Sequence, residues 1–541
     1  MTSGLLRTAW RQKPASFRSL RYSSDLLSWL KEEPVAKPAQ RLDLQFPARI
    51  YPEARKFKRE VHLHIGPTNS GKSYTALSAF KAAKSGYYAG PLRMLAREVF
   101  DRVNSEGIAC NLITGDEILE SPGASHNSST IEMMNLNVDM EVAVIDEIQM
   151  IGDPDRGSTW TQALLGVRAK VLHLCGDPNS EDIVQKLMAE TGDTLTVHRY
   201  ERLNKLEVEN KALAGKKKTG FYNSLRPGDC VVAFSKNDVQ RIRDNIVSAK
   251  GRKGCCAVIY GSLPPDIRAE QSRQFNDPDS GVDYLVASDA IGMGLNLAIK
   301  RVVFTTISKF DGNVNRELEI GEIKQIAGRA GRFRTQTGEE GESGKVTSVQ
   351  KDSIPAIKRA MKVSTPKLEE ALVKSSKHSM KLTSYSENIA FSTLVMDWYR
   401  NVETGRNYRM SRVAKIIDYA KLTDKIRDLT FSERVMLLDA PISNDPTQEA
   451  AFVKICRTIA ASRVVNVVTL FPDIIESLSH TNTSTQVLEK VHRIISLYLW
   501  FSYRFPCNFT DRATAVDLKR LCEAQFNALL GSRRALASKR R

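Results

Sequence analysis

Gly66-Pro67-Thr68-Asn69-Ser70-Gly71-Lys72-Ser73 matches G-x-x-x-x-G-K-[ST], and its reading organises the rest of the chain. A short apolar run, Val61–Gly66, precedes it, and a helical pattern, Tyr74–Lys84, follows. Strand, glycine-rich turn and helix in that order form a phosphate cradle. The glycines let backbone N–H groups curl around phosphate oxygens at the positive end of a helix. On this reading Gly66, Pro67, Thr68, Asn69, Ser70 and Gly71 wrap the phosphates of ATP. Lys72 reaches the β- and γ-phosphates, and the Ser73 hydroxyl holds Mg²⁺.

Such a cradle needs a carboxylate at the end of a neighbouring strand. Val142-Ala143-Val144-Ile145 runs directly into Asp146-Glu147. Asp146 is expected to hold Mg²⁺ through water, and Glu147 to orient and deprotonate the attacking water. Phosphoryl transfer also needs positive charge on the outer phosphate oxygens. Gln325-Ile326-Ala327-Gly328-Arg329-Ala330-Gly331-Arg332 sets two arginines three residues apart on one helix face. Arg329 and Arg332 are expected to act as fingers reaching from a second domain into the first.

That second domain is legible in the same periodicity. Brief apolar runs at Val61–Gly66, Gly86–Gly90, Val142–Ile145 and Val171–Gly176 are followed by another set at Cys230–Ser235, Cys256–Tyr260, Tyr284–Ala287 and Val302–Thr306. Runs of this kind spaced 20 or more residues apart read as parallel strands joined by helices. The fold class is therefore α/β, with two parallel-sheet domains over 58–205 and 206–354 and a seam near 200–225. From 355 to 541 the apolar residues recur at helical spacing, as in Val487, Leu488, Val491, Ile494, Ile495 and Tyr498. This predicts a helical C-terminal region ending in the basic tail Arg533, Arg534, Lys539, Arg540 and Arg541. Tyr498, Trp500 and Phe501 read as core.

A formal charge of +17 and a pI near 9.4 favour a polyanionic partner. No apolar stretch approaches the roughly 18 to 20 residues of a membrane span, so no membrane insertion is expected. The eight cysteines are scattered without a C-x-x-C pair, which argues against a zinc site and for a reducing compartment. His62 and His64 alternate in a strand-like run and read as structural. Residues 1–22 contain Arg7, Arg11, Lys13, Arg18 and Arg21 with no acid before Asp25, the composition of a mitochondrial presequence. Cleavage is expected after Tyr22, leaving 23–57 as a short N-terminal extension.

The segments Gly90–Ala96, Thr114–Glu117, Asp146-Glu147-Ile148-Gln149, Ala287–Asn296 and Gln325–Arg332 resemble the motifs of a superfamily 2 helicase of the DExH type. GPTNSGKS, GPLRMLA, DEIQM, LHLCGD at 172–177 and QIAGRAGR together resemble the mitochondrial degradosome ATP-dependent RNA helicase family. Leu438–Ile442 and Leu497–Pro506 echo its C-terminal region. The resemblance implies two tandem RecA-like domains followed by an all-helical domain. It implies an ATP-dependent RNA helicase of the mitochondrial matrix, unwinding 3′→5′ and feeding strands to a mitochondrial 3′ exoribonuclease. DNA duplexes as further substrates, or ribonucleoprotein remodelling without strong unwinding, are the alternatives. By the same resemblance Asp289 and Gly292 lie beside the nucleotide and Gln325 joins the catalytic group. Pro91, Arg93, Thr114, Gly115, Phe234, Ser235, Ser288 and Thr305 are the expected strand contacts, held through backbone and hydroxyl groups without sequence readout.

Overall fold

Strands buried on both faces need helices on both sides, and the sequence supplies them in the connections. The computed structural model describes residues 43–531 except 214–219, 252–253, 293, 295, 312–313, 332–342, 375–388, 401, 444 and 481–482. The presequence, Arg332 and the basic tail lie outside the described residues.

The first sheet has eight strands: β1 (Glu60–Ile65), β2 (Gly86–Gly90), β3 (Cys110–Ile113), β4 (Ile118–Leu119), β5 (His126–Thr130), β6 (Asp139–Ile145), β7 (Arg168–Gly176) and β8 (Thr194–Arg199). Their order is β4-β3-β5-β2-β6-β7-β1-β8, parallel except for the β3–β4 pair. The second sheet is parallel throughout and has six: β9 (Leu206–Val208), β10 (Asp229–Val232), β11 (Cys256–Ile259), β12 (Tyr284–Ala287), β13 (Arg301–Phe304) and, after a hairpin of β14 (Ser308–Phe310) and β15 (Asn315–Glu317), β16 (Gly344–Ser348). They run in the order β9-β16-β13-β10-β12-β11. In the first sheet the parallel strands β1, β2 and β6 end on one edge, where the loops carrying the phosphate cradle and the acid pair meet. Six helices position the site: α1 (Lys72–Ala82), α2 (Arg93–Ser105), α3 (Pro265–Asn276), α4 (Ile320–Ala327), α5 (Thr485–Arg504) and α6 (Arg512–Gly531).

The C-terminal region is helical in the main, and it is not a separate body. Its helices share one hydrophobic core with a face of the second sheet, so that Val231, Val258, Val286 and Val303 pack in the same cluster as Phe452, Tyr498, Phe501 and Phe526. Phe452, Phe501 and Phe526 are fully buried, each worth roughly 1.5–3 kcal/mol. Glu489 of α5 is nearly buried and takes hydrogen bonds from Lys236 at 2.6 Å, Tyr260 at 2.9 Å and Ser262 at 3.1 Å, all in the second domain. The start of the region adds strands that helical periodicity does not reveal. Ala371–Val373 pairs with Tyr408–Met410, and Glu403–Thr404 pairs with Asp43–Leu44. These runs are two or three residues long, too short for a period-2 signal. Leu44, Ala48, Ala371, Val373 and Tyr408 thereby join the core of the first domain.

His62 and His64 are structural parts of a larger stack. Register brings His62 of β1 opposite His173 of β7, and His64 of β1 opposite His198 of β8. The His62–His173 and His64–His198 rings stack at 5.0 and 4.8 Å. His64 bonds Tyr200 Oη at 2.8 Å and His173 at 2.9 Å, and His62 bonds His198 at 3.1 Å. Burial, then the neighbouring imidazoles, lowers His64 to about 3 and His173 to about 4. Among the described residues no group of three or more His, Cys, Asp and Glu is placed to hold a metal ion. The sign of the pH effect follows from linkage. Both rings stay neutral in the folded chain while their unfolded counterparts protonate below about 6.5. Stability is therefore full above that value and falls as the pH drops toward 4, by up to about 1.4 kcal/mol per pH unit for each histidine. Urea midpoints measured between pH 7.5 and 4.5 check this; an unchanged slope in His173→Gln removes the stack as the cause.

Candidate active site

The cradle sits where β1 meets α1. Gly71 caps α1 with φ +83°, a conformation open to glycine, and Asn69 takes φ +63°. Lys72 Nζ turns back to Pro67 O at 3.1 Å, which places the ammonium inside the loop. Ser70 Oγ is buried without a hydrogen-bond partner among the described residues, an orphan that a phosphate oxygen would satisfy. Gly66 is closed in by Tyr200 O, which stands 2.7 Å from where a Cβ would be.

The acid pair follows β6. Asp146 is buried; its carboxylate takes a hydrogen bond from Tyr88 Oη at 3.1 Å and lies 3.4 Å from Ser73 Oγ. Burial first, then the Glu147 charge, pushes its carboxyl up to about 6. A hydroxyl and a carboxylate facing each other are hard oxygen donors of the kind Mg²⁺ takes. Glu147 adopts φ +53°, ψ +49°, a strained conformation for a non-glycine residue. Gln149 Nε2 donates to the Glu147 carboxylate, while Gln149 Oε1 accepts from Asp177 N at 3.1 Å. Gln149 thus ties the end of β7 to Glu147, an arrangement that spacing alone does not disclose.

The second domain meets the cradle at the segment after α4. A Cβ added to Gly328 would lie 1.9 Å from Thr68 Oγ1 and 3.1 Å from Thr68 Cβ. Asn69 Nδ2 donates to Gly331 O at 3.0 Å. Arg202, in the linker between the sheets, donates to Thr68 O and Gly328 O at 2.9 Å each and to Ala330 O, and Asn204 donates to Gly331 O at 2.8 Å. Sequence reasoning passed over Arg202 because its partners are backbone carbonyls, which carry no side-chain signature. Arg329 is buried with Nε 3.2 Å from Gly292 O and a terminal nitrogen on the same carbonyl. Gln325 faces Gly292, and Asp289 pairs with Lys309 at 3.0 Å.

A cavity of about 1320 Å³ lies between the first domain, the second domain and the C-terminal helices. Among the described residues Arg93, Arg156, Arg268, Lys374, Arg412, Lys415, Arg493 and Arg504 line it against Glu132, Asp155 and Asp439. This excess suits a phosphate backbone. Of the expected strand contacts, Pro91, Arg93 and Gly115 line this space. The others are engaged within their own domains. Thr114 Oγ1 bonds Asp116 and Glu117 O, Ser235 caps a helix by accepting from Asp238 N, Ser288 accepts from Ala290 N, and Thr305 donates to Val232 O at 2.8 Å. Phe234 packs on the core of the second sheet. Arg412, Lys415, Arg493 and Arg504 come from the helical region, where periodicity reports the buried face and says nothing of what the other face surrounds. Tyr498, Trp500 and Phe501 are buried, and Arg504 lies over the Trp500 ring at 3.8 Å.

Comparison with known proteins converges on one family. The profile for the DEXQ-box helicase domain of Suv3 matches residues 47–200, that for the helicase conserved C-terminal domain matches 216–334, and that for the ATP-dependent RNA helicase SUV3 C-terminal domain matches 486–531. The chain is 39% identical over 516 residues to the mitochondrial ATP-dependent RNA helicase SUV3 of Saccharomyces cerevisiae, covering 93% of this chain and 69% of that protein. It is 38% identical to its namesake from Oryza sativa subsp. japonica, covering 89% and 81%, and 38% identical to the DExH-box helicase DExH16 of Arabidopsis thaliana, covering 91% and 84%. Among solved structures, the Escherichia coli DEAH/RHA helicase HrpB aligns at 13% identity with a TM-score of 0.48, over 83% of this chain and 60% of that one. With most of both chains aligned at such identity, and all three regions matched in order, this chain belongs to the SUV3 helicase family.

Proposed function

We propose that the chain is an ATP-dependent RNA helicase of the mitochondrial matrix, unwinding duplex RNA 3′→5′ and handing strands to a 3′ exoribonuclease. The observation that carries the reading is the direct seating of the cradle against the Gly328–Gly331 segment, beside a basic channel walled by three parts of the chain. The relatives' names, mitochondrial ATP-dependent RNA helicase, supply the substrate and the compartment.

On this reading ATP lies between the domains. Lys72 neutralises the outer phosphates, and Ser73 with Asp146 would hold Mg²⁺, which would offset the charge on the leaving oxygens. Glu147, steadied by Gln149, orients the water and takes its proton. Arg329 holds the Gly292 loop in place, and Arg332 is the finger toward the γ-phosphate. Loss of that phosphate weakens the hold of one domain on the other. The channel then advances along a strand whose backbone is gripped without base readout.

The test is strand-stimulated ATPase and unwinding by the full chain beside Glu147→Gln, on matched 3′-tailed RNA and DNA duplexes. ATP should open the RNA duplex, and the variant should lose about 10²–10⁴-fold in hydrolysis along with unwinding. Hydrolysis without any duplex opening would replace unwinding by ribonucleoprotein remodelling.

A further inference from the structure

Beside the channel, six charged or titratable groups from all three parts of the chain converge. Asp116 follows β3 and is buried, with its side chain only 3% exposed. Arg93, the first residue of α2, donates to it at 2.6 Å and also lines the channel. Lys519 of α6 stands 3.5 Å from Asp116, 3.7 Å from Asp266 in the first turn of α3, and 3.7 Å from Glu523 one turn along its own helix. His492 of α5 bonds Glu523 at 3.0 Å. The three Lys519 distances are nearly equal and longer than a direct hydrogen bond, so the ammonium is shared among carboxylates from three parts of the chain.

We propose that Lys519 is a positioning residue that frees Arg93 for the nucleic-acid strand; the inference rests on the helicase reading above. Arg93 has two anions to choose from, the Asp116 carboxylate and a strand phosphate in the channel. Moving to the phosphate strips Asp116 of its strongest partner, and a buried carboxylate without a counter-charge is costly. Lys519 already lies within reach of Asp116 and takes over that charge. The switch of Arg93 is then an exchange of partners and leaves no carboxylate alone. Because Lys519 also faces Asp266, the same ammonium registers how closely the second domain approaches the first. The C-terminal helix therefore joins strand gripping to domain closure without touching the strand. Burial acts to raise the Asp116 carboxyl, and Arg93 and Lys519 together outweigh it and hold the group below its usual range, in keeping with a carboxylate that stays charged in either arrangement.

The experiment titrates a single-stranded RNA 20-mer into the full chain and reads ATPase for wild type, Lys519→Met, Lys519→Arg, Asp116→Asn and the Lys519→Met/Asp116→Asn double variant. Lys519→Met should raise the RNA concentration for half-maximal stimulation by roughly 10-fold, a typical size for one lost interaction in a charge network, with ATPase in the absence of RNA unchanged. Lys519→Arg should restore the wild-type value. In the Asp116→Asn background, removing Lys519 should add nothing to the shift, since the carboxylate that Arg93 would leave behind is no longer there. An unshifted half-saturation in Lys519→Met, or a shift that persists undiminished in the double variant, overturns the proposal. RNA that fails to stimulate the wild-type chain sinks the helicase reading itself, a result distinct from either.

Discussion

Gly328→Ala should lower strand-stimulated turnover by about 100-fold, the size expected when reacting groups are displaced by roughly 1 Å, while ADP still binds. The methyl carbon would sit 1.9 Å from Thr68 Oγ1 and 3.1 Å from Thr68 Cβ. Rotating the threonine relieves the first contact and leaves the second, and the Lys324 carbonyl also stands 2.8 Å from the new carbon, so the backbone at 328 must shift against the cradle. The cradle lies wholly in the first domain and keeps its own geometry, which is why nucleotide binding survives. What is lost is the register between the cradle and the segment leading to Arg329 and Arg332. Removing the Thr68 Cβ as well, in Thr68→Gly/Gly328→Ala, should recover part of the rate. Turnover measured at saturating RNA, with binding of a fluorescent ADP alongside, checks both statements. Wild-type turnover in the single variant would mean that hydrolysis does not use this close approach.

The second large effect concerns stability. Arg59 is fully buried. Its guanidinium bonds both Asp193 oxygens, with Nε at 3.1 and 3.2 Å, and donates to Leu164 O at 2.7 Å and Val167 O at 3.3 Å. Arg55 and Thr191 also hold Asp193, at 3.2 and 2.6 Å. Asp193→Ala leaves a buried guanidinium without its anion and should cost about 3–5 kcal/mol. The readout is the urea transition of the first domain, followed separately because a multidomain chain need not unfold in one step. Arg59→Met with Asp193→Leu removes both charges together and should cost less than Asp193→Ala alone. A double variant as unstable as the single one would show that the pair's worth lies in shape and not in charge. The carboxylate titrates low in the folded chain because the Arg59 hydrogen bond and charge outweigh burial. This part of the stability is therefore present above about pH 4, the usual aspartate value, and is lost as the pH falls below it.

Several features of the site are local, and those the sequence discloses. A phosphate cradle is one loop between a strand and a helix, so Gly66–Ser73 announces itself by spacing. Asp146 and Glu147 announce themselves by ending an apolar run, and the two sheets by the rhythm of such runs. Family resemblance carried the reading further, to the kind of motor and its substrate, because the motifs recur in order along most of the chain.

Partnership between distant segments is another matter. Nothing at Arg202 distinguishes it from a solvated linker arginine, yet it joins the cradle to Gly328 and Ala330 through carbonyl oxygens. Thr114, Ser235, Ser288 and Thr305 have hydroxyls suited to a strand, and backbone groups claim all four, those of their own turns for the first three and the neighbouring strand's Val232 carbonyl for Thr305. Local closure is entropically cheap, so a short polar side chain finds its own turn before it finds a ligand. The helical region shows the same division. Its periodicity determined that Tyr498 and Phe501 would be buried. That these helices complete the second domain's core, and turn Lys415, Arg493 and Arg504 toward the channel beside the loop residue Arg412, was decided by packing. Periodicity records which side of a helix avoids water; only tertiary structure determines what the other side faces.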